Sequence, residues 1–544
     1  MHADDVVDCH VLVIGSGGAG ARAALEAVKY GSTILLSKTL TGKGGCTIMA
    51  EGGYNAVLNE NDSCDTHYED TLRGGGYLND PSLAEILTSE APERFEDLIR
   101  WGAVFDVTDD NRVAQRPFGG QSFDRTCYAS DRTGHEMMAT LIEQVRKSDI
   151  IQMQEVSVIE LLQDNGRVAG AITLDRQGNI GVVRADATVI ATGGGTKCYD
   201  ISTNCAAGTG DGFALGYRAG AELIDMEMVQ FHPTGAVYPR DARGRLITEA
   251  VRGEGGYLVN SKGERFMERY DPVRKDLSTR DVVARAIATE ILEGRGTEHG
   301  GVYLDVRELS PETIEKRLPI MLEQFLQFGV DIRVEPMEVA PTAHHIMGGL
   351  RIRKDARTTV PGLYACGEVT GGVHGANRLG GNALADTQVF GRRAGESAGK
   401  TQVTEINDRI DPAVQIEYQE KRLASFSEGS TNTADIREEL RLAMWEGAGI
   451  FRTETGLTQV AEIISHLMEK RPKAIYPANF INCCTVENML LVSFLIVNSA
   501  LMREESRGAH VRTDIKQTPA ETSPFMHTYV SVGCCGIEKK EDST

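Results

Sequence analysis

Gly15-Ser16-Gly17-Gly18-Ala19-Gly20 is a G-x-G-x-x-G run that follows the apolar stretch Cys9–Ile14 and leads into the alanine-rich stretch Ala21–Tyr30. That spacing suits the grip of a pyrophosphate. The first glycine permits a tight turn, the second lets backbone approach the phosphates, and the third lets a helix pack on a strand. The helix N-terminus then supplies partial positive charge. A dinucleotide cofactor is the reading. At the end of the next apolar stretch, where a carboxylate usually meets the ribose, the chain has Ser37-Lys38. A serine hydroxyl can still bond a ribose hydroxyl, more weakly than a carboxylate.

The cysteines offer no metal chemistry. All 11 are scattered, with no C-x-x-C pair and no His–Cys cluster at zinc spacing. They read as reduced thiols, and Cys483-Cys484 as packing. No iron–sulfur ligand set is visible, so electrons must enter or leave through something other than a cluster held by this chain. The net charge of −21 argues against nucleic acid or an anionic membrane as direct partner. An anionic substrate would require positive charge concentrated in a cleft against that balance.

Several elements must position such a site. The 544 residues exceed one hydrophobic core, and 41% apolar with 25% charged residues is ordinary for a soluble protein. Strands are expected at Cys9–Gly15, Ser32–Leu36, Ala187–Ala191 and Gly362–Ala365, with a helix at Ala21–Tyr30. Three of these strands end at or next to glycine, which suggests one parallel sheet whose carboxyl ends line a crevice. The long interval before the last strand, Phe231–Met347, is expected to be a separate unit able to close over that crevice. Helices follow, such as Pro412–Phe426 and Ile436–Trp445, and the last thirty or so residues, with Pro519 and Pro524, look irregular. The apolar run Met489–Met502 is shorter than the ~20 residues a membrane span needs and reads as a buried helix. The acidic N-terminus shows no signal peptide, and a cytoplasmic location without direct membrane insertion is expected, any attachment at the membrane face being through partner subunits.

Beyond these features the chain resembles the succinate dehydrogenase/fumarate reductase flavoprotein family. The likeness begins at Gly42–Gly53 (GKGGCTIMAEGG). It continues through Arg116-Pro-Phe-Gly-Gly-Gln121, Ala191-Thr-Gly-Gly-Gly195, Thr209-Gly-Asp-Gly212 and Gln230-Phe-His-Pro-Thr-Gly235. Then come Thr248-Glu-Ala-Val-Arg-Gly-Glu-Gly-Gly256, Thr279-Arg-Asp281, Pro341-Thr-Ala-His344, His374–Asn382 and Glu505–His510. It spans about residues 8–515 and leaves the tail outside. It implies an α/β fold: a Rossmann-like FAD-binding domain (1–230 and 348–402), an inserted α+β capping domain (231–347), a C-terminal helical domain (403–515) and a tail (516–544).

The resemblance further implies FAD held by Gly15, Ser16, Gly17, Gly18, Ala19, Gly20, Ser37, Lys38, Gly45, Cys46, Thr47, Gly52, Gly53, Ala191, Thr192, Gly193, Asp211, Glu368, Arg378, Asn382 and Leu384. Fumarate or succinate would be bound by His232, Thr248, His344 and Arg378, beside Phe118. Arg280 would donate the proton opposite the hydride, with Glu249 and Arg252 relaying protons and His232 also in the catalytic set. Glu249 and Arg252, three apart, would share a face if helical. An iron–sulfur partner subunit would carry the electrons.

Departures from the family pattern narrow the reading. Many members attach FAD through a histidine before the threonine at 47. Here that residue is Cys46, so non-covalent FAD is expected, with a lower flavin potential that favours giving electrons to fumarate. L-aspartate oxidases share the His232, Glu249, Arg252, Arg280, His344 and Arg378 pattern but place a glutamate where this chain has Phe118, which offers an ammonium no counter-charge. The tail carries Cys534-Cys535-Gly536, similar to one copy of a signature of thiol-coupled enzymes. The alternatives are an aspartate oxidase-type flavoenzyme and a non-catalytic flavin scaffold of an electron-transfer complex.

Overall fold

The computed structural model describes residues 6–403, 410–515 and 526–539. Its largest sheet has seven strands. They are β1 (Val6–Ile14), β2 (Thr33–Ser37), β3 (Ile151–Gln154), β4 (Val156–Asp164), β5 (Arg167–Asp175), β6 (Ile180–Ile190) and the short strand Leu363–Ala365, with helix α1 (Gly18–Ala27) following β1. The order is β3-β2-β1-β6-β5-β4, with Leu363–Ala365 also paired to β6. Strands β1, β2, β3, β6 and Leu363–Ala365 run parallel. β1 is apolar for most of its length because both of its faces are covered.

The register decides where a ligand can sit. Ile14 is level with Leu36 and with Ile190, and Ile190 with Ala365. The residues that follow, Gly15, Ser37, Ala191 and Cys366, therefore emerge side by side along one edge. At that edge Gly15 has φ +108°, and a Cβ there would lie 2.3 Å from the Ala191 carbonyl oxygen, so only glycine makes this turn.

A second hydrophobic core gathers residues between Ala236 and Val339. It lies on a four-stranded sheet of β7 (Val229–Tyr238), β8 (Tyr257–Val259), β9 (Val302–Asp305) and β10 (Met337–Ile346), in the order β7-β10-β9-β8. Helices α2 (Arg280–Glu290) and α3 (Pro319–Gln327) belong to the same stretch. Asp131, from the larger unit, accepts the backbone N–H groups of Ile320 and Met321 and so caps α3 across the junction.

Helix α4 (Asn382–Gly399) returns to the main sheet and packs closely on α1. A Cβ at Gly395 would lie 2.1 Å from the Ala23 carbonyl oxygen, so a side chain there would force the two helices apart. The helical region comprises α5 (Ala413–Ser427), α6 (Thr433–Gly447), α7 (Glu454–Glu469) and α8 (Phe480–Met502). α8 is longer than the apolar run suggested and, among the described residues, is the helix long and apolar enough to cross a membrane. Its most apolar window is 67% buried against the rest of the chain, and it is a core helix.

The tail corrects one expectation. Instead of ending irregularly, the chain forms a hairpin, β11 (Met526–Ser531) and β12 (Cys534–Lys539). β11 pairs with Leu223–Ile224, which ties the tail to the first unit. Pro519 and Pro524 lie outside the described residues.

Candidate active site

The crevice at the strand ends opens into a cavity that runs from Gly15–Ala19 to the junction with the second unit. Of the expected cofactor residues, Ser16, Ser37, Lys38, Gly45, Cys46, Thr47, Gly52, Gly53, Ala191, Thr192, Gly193, Asp211, Glu368, Arg378 and Leu384 also line it. Two do not. A Cβ at Gly20 would lie 1.8 Å from the Gly15 carbonyl oxygen, so this glycine serves helix–strand packing. The Asn382 side chain points into the core, where its Oδ1 accepts from Asn55 Nδ2 at 2.7 Å and its Nδ2 donates to Thr71 Oγ1. Only the backbone of Asn382 can serve a ligand, as the start of α4.

The cavity fits an elongated dinucleotide with a ring system. The first turns of α1 and α4 both border it, offering partial positive charge at two separate points. Gly45 and Gly193 have no atoms within 4 Å of the position a Cβ would take, so they leave the wall open where side chains would fill it. Thr192 Oγ1 is buried without a hydrogen-bond partner among the described residues. Ser16 Oγ donates to Ser37 Oγ at 2.8 Å, and Lys38 Nζ contacts Asp211 Oδ2 at 2.9 Å, which fixes the rim. Burial pushes the Glu368 carboxyl up to about 7, although the Ile346 N–H and Arg378 favour its anion.

At the other end of the cavity two guanidinium groups converge. Arg280 Nε donates to Glu249 Oε2 at 2.8 Å, and Arg280 NH1 donates to Gln230 Oε1 at 3.2 Å. The same Gln230 oxygen accepts Arg378 NH2 at 3.1 Å. Gln230 is itself held, its Nε2 donating to Asn377 Oδ1 and to the Arg378 carbonyl, both at 2.8 Å. Gly119 N–H donates to Glu249 Oε1 at 2.8 Å. His232, His344, Thr248 and Phe118 complete the lining. The imidazoles of His232 and His344 lie 5.1 Å apart, and His344 Nδ1 is 2.7 Å from Thr203 Oγ1. The Thr234 N–H donates to His232 Nδ1, which leaves the ring proton on Nε2 when the ring is neutral.

Electrostatics sorts these groups. Burial, then the Arg280 charge, hold His232 and His344 well below the ordinary histidine range, so both are neutral at pH 7. The cations of the site are therefore its arginines, and the histidines act as neutral donors. Burial raises the Glu249 carboxyl, but Arg280 and Arg252 outweigh it and keep Glu249 ionised. Burial and Arg280 lower Arg378 to about 9, still charged at neutral pH.

Arg252 stands behind the cavity wall. It is buried in a short helix, Ala250–Gly253, and does not line the cavity. Its NH1 donates to the Asp276 carbonyl, while Nε and NH2 have no hydrogen-bond partner among the described residues. Glu249 is itself helical and Arg252 lies three residues on in the same turn, so the two share a face and Arg252 acts on Glu249 through its charge.

Comparison with known proteins agrees with this geometry. A family model described as "FAD binding domain" matches residues 10–384, and one described as "Fumarate reductase flavoprotein C-term" matches residues 437–539. The chain is 53% identical to a fumarate reductase (CoM/CoB) subunit of Methanothermobacter marburgensis over 95% of its own length and 96% of the relative's. The chain belongs to the succinate dehydrogenase/fumarate reductase flavoprotein family. It is also 39% identical to the succinate dehydrogenase flavoprotein subunit of Rickettsia bellii, over 93% of this chain and 90% of that one. Among solved structures, a variant of the E. coli quinol fumarate reductase FrdA superposes with a TM-score of 0.93 at 33% identity, covering 100% of this chain and 98% of the other.

The flavoprotein match extends to residue 539, so the tail hairpin lies inside the family pattern and not beyond it. The site of this flavoprotein also contains residues to which sequence reasoning gave no role. Gln230 opened a quoted motif, yet its task of bridging two arginines depends on contacts with α2 and the loop before α4. Cys205 and Asn204, on the wall beside Cys46, belong to no recognised motif. Glu51 stood within the flavin-contacting segment, and its carboxyl, pushed by burial up to about 8, meets Gln324 of α3 at 3.4 Å.

Proposed function

We propose that this chain is the catalytic flavoprotein of a fumarate reductase, moving a hydride between FAD N5 and the fumarate/succinate pair. FAD, when bound, supplies the hydride. The remaining work falls to the side chains described above. Fumarate is a dianion, and charge builds on one carboxylate as the hydride arrives. Arg378 would clamp one carboxylate in bidentate fashion while neutral His232, His344 and Thr248 donate to the other, in a site that excludes water. Arg280 would give its proton to the second alkene carbon. A guanidinium, with a pKa above ~12, is a weak acid and can serve only where the accepting carbon is strongly basic and reprotonation is immediate. Glu249, ionised and on Arg280 Nε, is placed to return that proton.

The observation that carries this reading is the shared Gln230 oxygen. It holds Arg280 and Arg378 side by side at one end of a cavity that fits FAD. Phe118 is apolar and buried there, so nothing at that position compensates a substrate ammonium, which favours a dicarboxylate without an amine over L-aspartate. A non-catalytic scaffold would have no use for a buried, mutually repelling arginine pair. Non-covalent FAD accords with Cys46, whose thiol is hydrogen-bonded and held well above the ordinary thiol range, so it is not the thiolate a flavin linkage requires. An iron–sulfur subunit in a cytoplasmic assembly would deliver the electrons. The test is reduction of fumarate by the purified, FAD-loaded chain with a reduced low-potential dye. No turnover, or L-aspartate oxidation comparable with that of succinate, overturns the reading. Flavin fluorescence that stays with the denatured chain on a gel overturns the non-covalent part alone.

A further inference from the structure

Gln121 closes the Arg116–Gln121 motif and Asn55 follows the Gly42–Gly53 segment, yet neither lines the cavity. Asn55 faces Thr126 across the short antiparallel pair Tyr54–Asn55 and Thr126–Cys127, and both side chains are fully buried. Asn55 Nδ2 donates to the Gly380 carbonyl at 2.8 Å and to Asn382 Oδ1 at 2.7 Å. Its Oδ1 accepts Thr126 Oγ1 at 2.7 Å and Gln121 Nε2 at 3.1 Å. Turning the amide over would set oxygen against the Gly380 carbonyl, so its orientation is fixed. The Asn55 backbone N–H donates to the Gly381 carbonyl at 3.2 Å, and Gln121 Nε2 donates to the Gly380 carbonyl at 3.0 Å. His67 Nε2 lies 2.9 Å from Asn382 Oδ1. Burial, then the Arg125 charge, hold this histidine down to about 4, so it is neutral and the network carries no charge of its own.

In a planar trans peptide the C=O and the N–H point in opposite directions. With the Gly380 oxygen drawn to the core by Asn55 and Gln121, the Gly381 N–H faces away from the core. Gly381 lines the cavity, and its N–H has no protein acceptor among the described residues. Only glycine makes this turn: Gly381 has φ +86°, and a Cβ there would lie 2.0 Å from Asn55 Oδ1. A Cβ at Gly380 would meet Phe118 at 2.9 Å and Glu249 Oε2 at 3.1 Å, so this peptide borders the arginine end of the cavity. We infer that Asn55 and Gln121 are positioning residues for the proposed reaction: they turn the Gly380–Gly381 peptide so that its N–H becomes a donor to an anionic oxygen in the cavity. The inference rests on the flavoprotein reading above and adds to it a neutral donor at the start of α4. The oxygen belongs to the dicarboxylate or to the reduced cofactor, both of which carry negative charge. A backbone N–H fixed from behind by two side chains needs no rearrangement when that charge arrives.

The test compares Q121M and N55L, which keep the shape of each side chain and remove its donors, with the wild-type chain, all loaded with FAD. Two quantities are read: the Kd of malonate, a redox-inert dicarboxylate, by titration calorimetry, and the flavin midpoint potential by spectroelectrochemical titration. Loss of the fixed donor is expected to raise the malonate Kd roughly 10-fold where the oxygen is the substrate's, the weight of one hydrogen bond to a charged group. A lowered midpoint potential with unchanged Kd assigns the oxygen to the cofactor. Flavin absorbance reports that each variant folds, and should N55L fail to hold FAD, Q121M decides alone. Wild-type values of both quantities in the variants that hold FAD overturn the inference, even with a lower Tm, because a merely structural role moves only stability. A wild-type chain that holds FAD but neither binds malonate nor reduces fumarate overturns the functional reading, and the midpoint potential then decides the role of Asn55 and Gln121.

Discussion

Glu249 holds Arg280 from the side, through Nε at 2.8 Å, and not through the end of the guanidinium. NH1 goes to Gln230, and NH2 has no protein hydrogen bond among the described residues, so one terminal nitrogen is left for substrate. A lysine at 280 would keep a positive charge but could not make the side-on bond and the forward-facing donor at once. R280K is therefore expected to lower kcat for fumarate by roughly 10²–10⁴-fold, the usual weight of a positioned acid, with KM nearly unchanged. E249Q should lower kcat with FAD still bound, because the amide cannot take the proton on. Steady-state kinetics with a reduced dye checks both, and an R280K enzyme with wild-type kcat would remove Arg280 from the chemistry.

Gln230 acts by positioning. Two arginine donors share its one carbonyl oxygen, and the repulsion between the cations is tolerated because that oxygen lies between them. In Q230L both guanidiniums lose an acceptor, each bond to a charged group being worth about 1.5–3 kcal/mol. The expected outcome is a fall in kcat/KM of roughly 10–100-fold, mostly through KM, with flavin absorbance unchanged. Q230E should behave differently. A third carboxylate would neutralise the arginines and repel the dianion, raising KM more than Q230L does.

The pH profile should lack a histidine. Burial among arginines depresses His232 and His344 well below 6.5, so both are already neutral across the range in which histidine normally titrates. Glu249 is ionised there as well. kcat/KM for fumarate is therefore expected to show no inflection between about pH 6 and 7 attributable to these groups. On the alkaline side the lowered Arg378 predicts a decline near 9, because loss of its proton removes a substrate cation. H232Q, which keeps a neutral donor, should leave the shape of the profile unaltered while lowering its height. A wild-type break near 6.5 that disappears in H232Q would show that the imidazole titrates after all.

What the sequence disclosed follows the range over which each feature is determined. Gly15–Gly20 and the strands on either side were legible because turn, strand and helix lie within one short segment, and parallel register then brings Ser37, Ala191 and Cys366 to the same edge. The arginines and histidines were legible only through family motifs, since nothing local to Arg280 says that it meets Glu249. Gln230, Asn204 and Cys205 escaped because their roles exist only once distant loops close on one cavity. The relation of Arg252 to Glu249 was legible from their i,i+3 spacing, because Glu249 and Ala250–Gly253 form one helical turn. The tail hairpin escaped because its strands are short, follow two prolines, and are stabilised by a partner strand some three hundred residues earlier, at Leu223–Ile224.

That hairpin closes over a buried charge cluster, which gives a test of stability independent of catalysis. Arg503 contacts Asp225 Oδ1 at 3.0 Å and the Glu227 carboxylate, and donates to the Met526 carbonyl at the start of β11. His527 and Thr528 of β11 contact the same two carboxylates. Burial already raises the Glu227 carboxyl against the opposing pull of Arg503. R503M leaves two buried carboxylates without their cation, and breaking such a pair typically costs about 3–5 kcal/mol. The sign of the pH dependence follows. Without Arg503, Glu227 should titrate further above its unfolded value, so the folded variant binds more protons than the unfolded chain above the ordinary carboxylate range. Its stability must then fall as pH rises through that range and recover as pH is lowered. Denaturant melts of R503M and wild-type protein at pH 5 and pH 8 should show a larger deficit at pH 8, and equal deficits would mean that the cluster is not held together by charge.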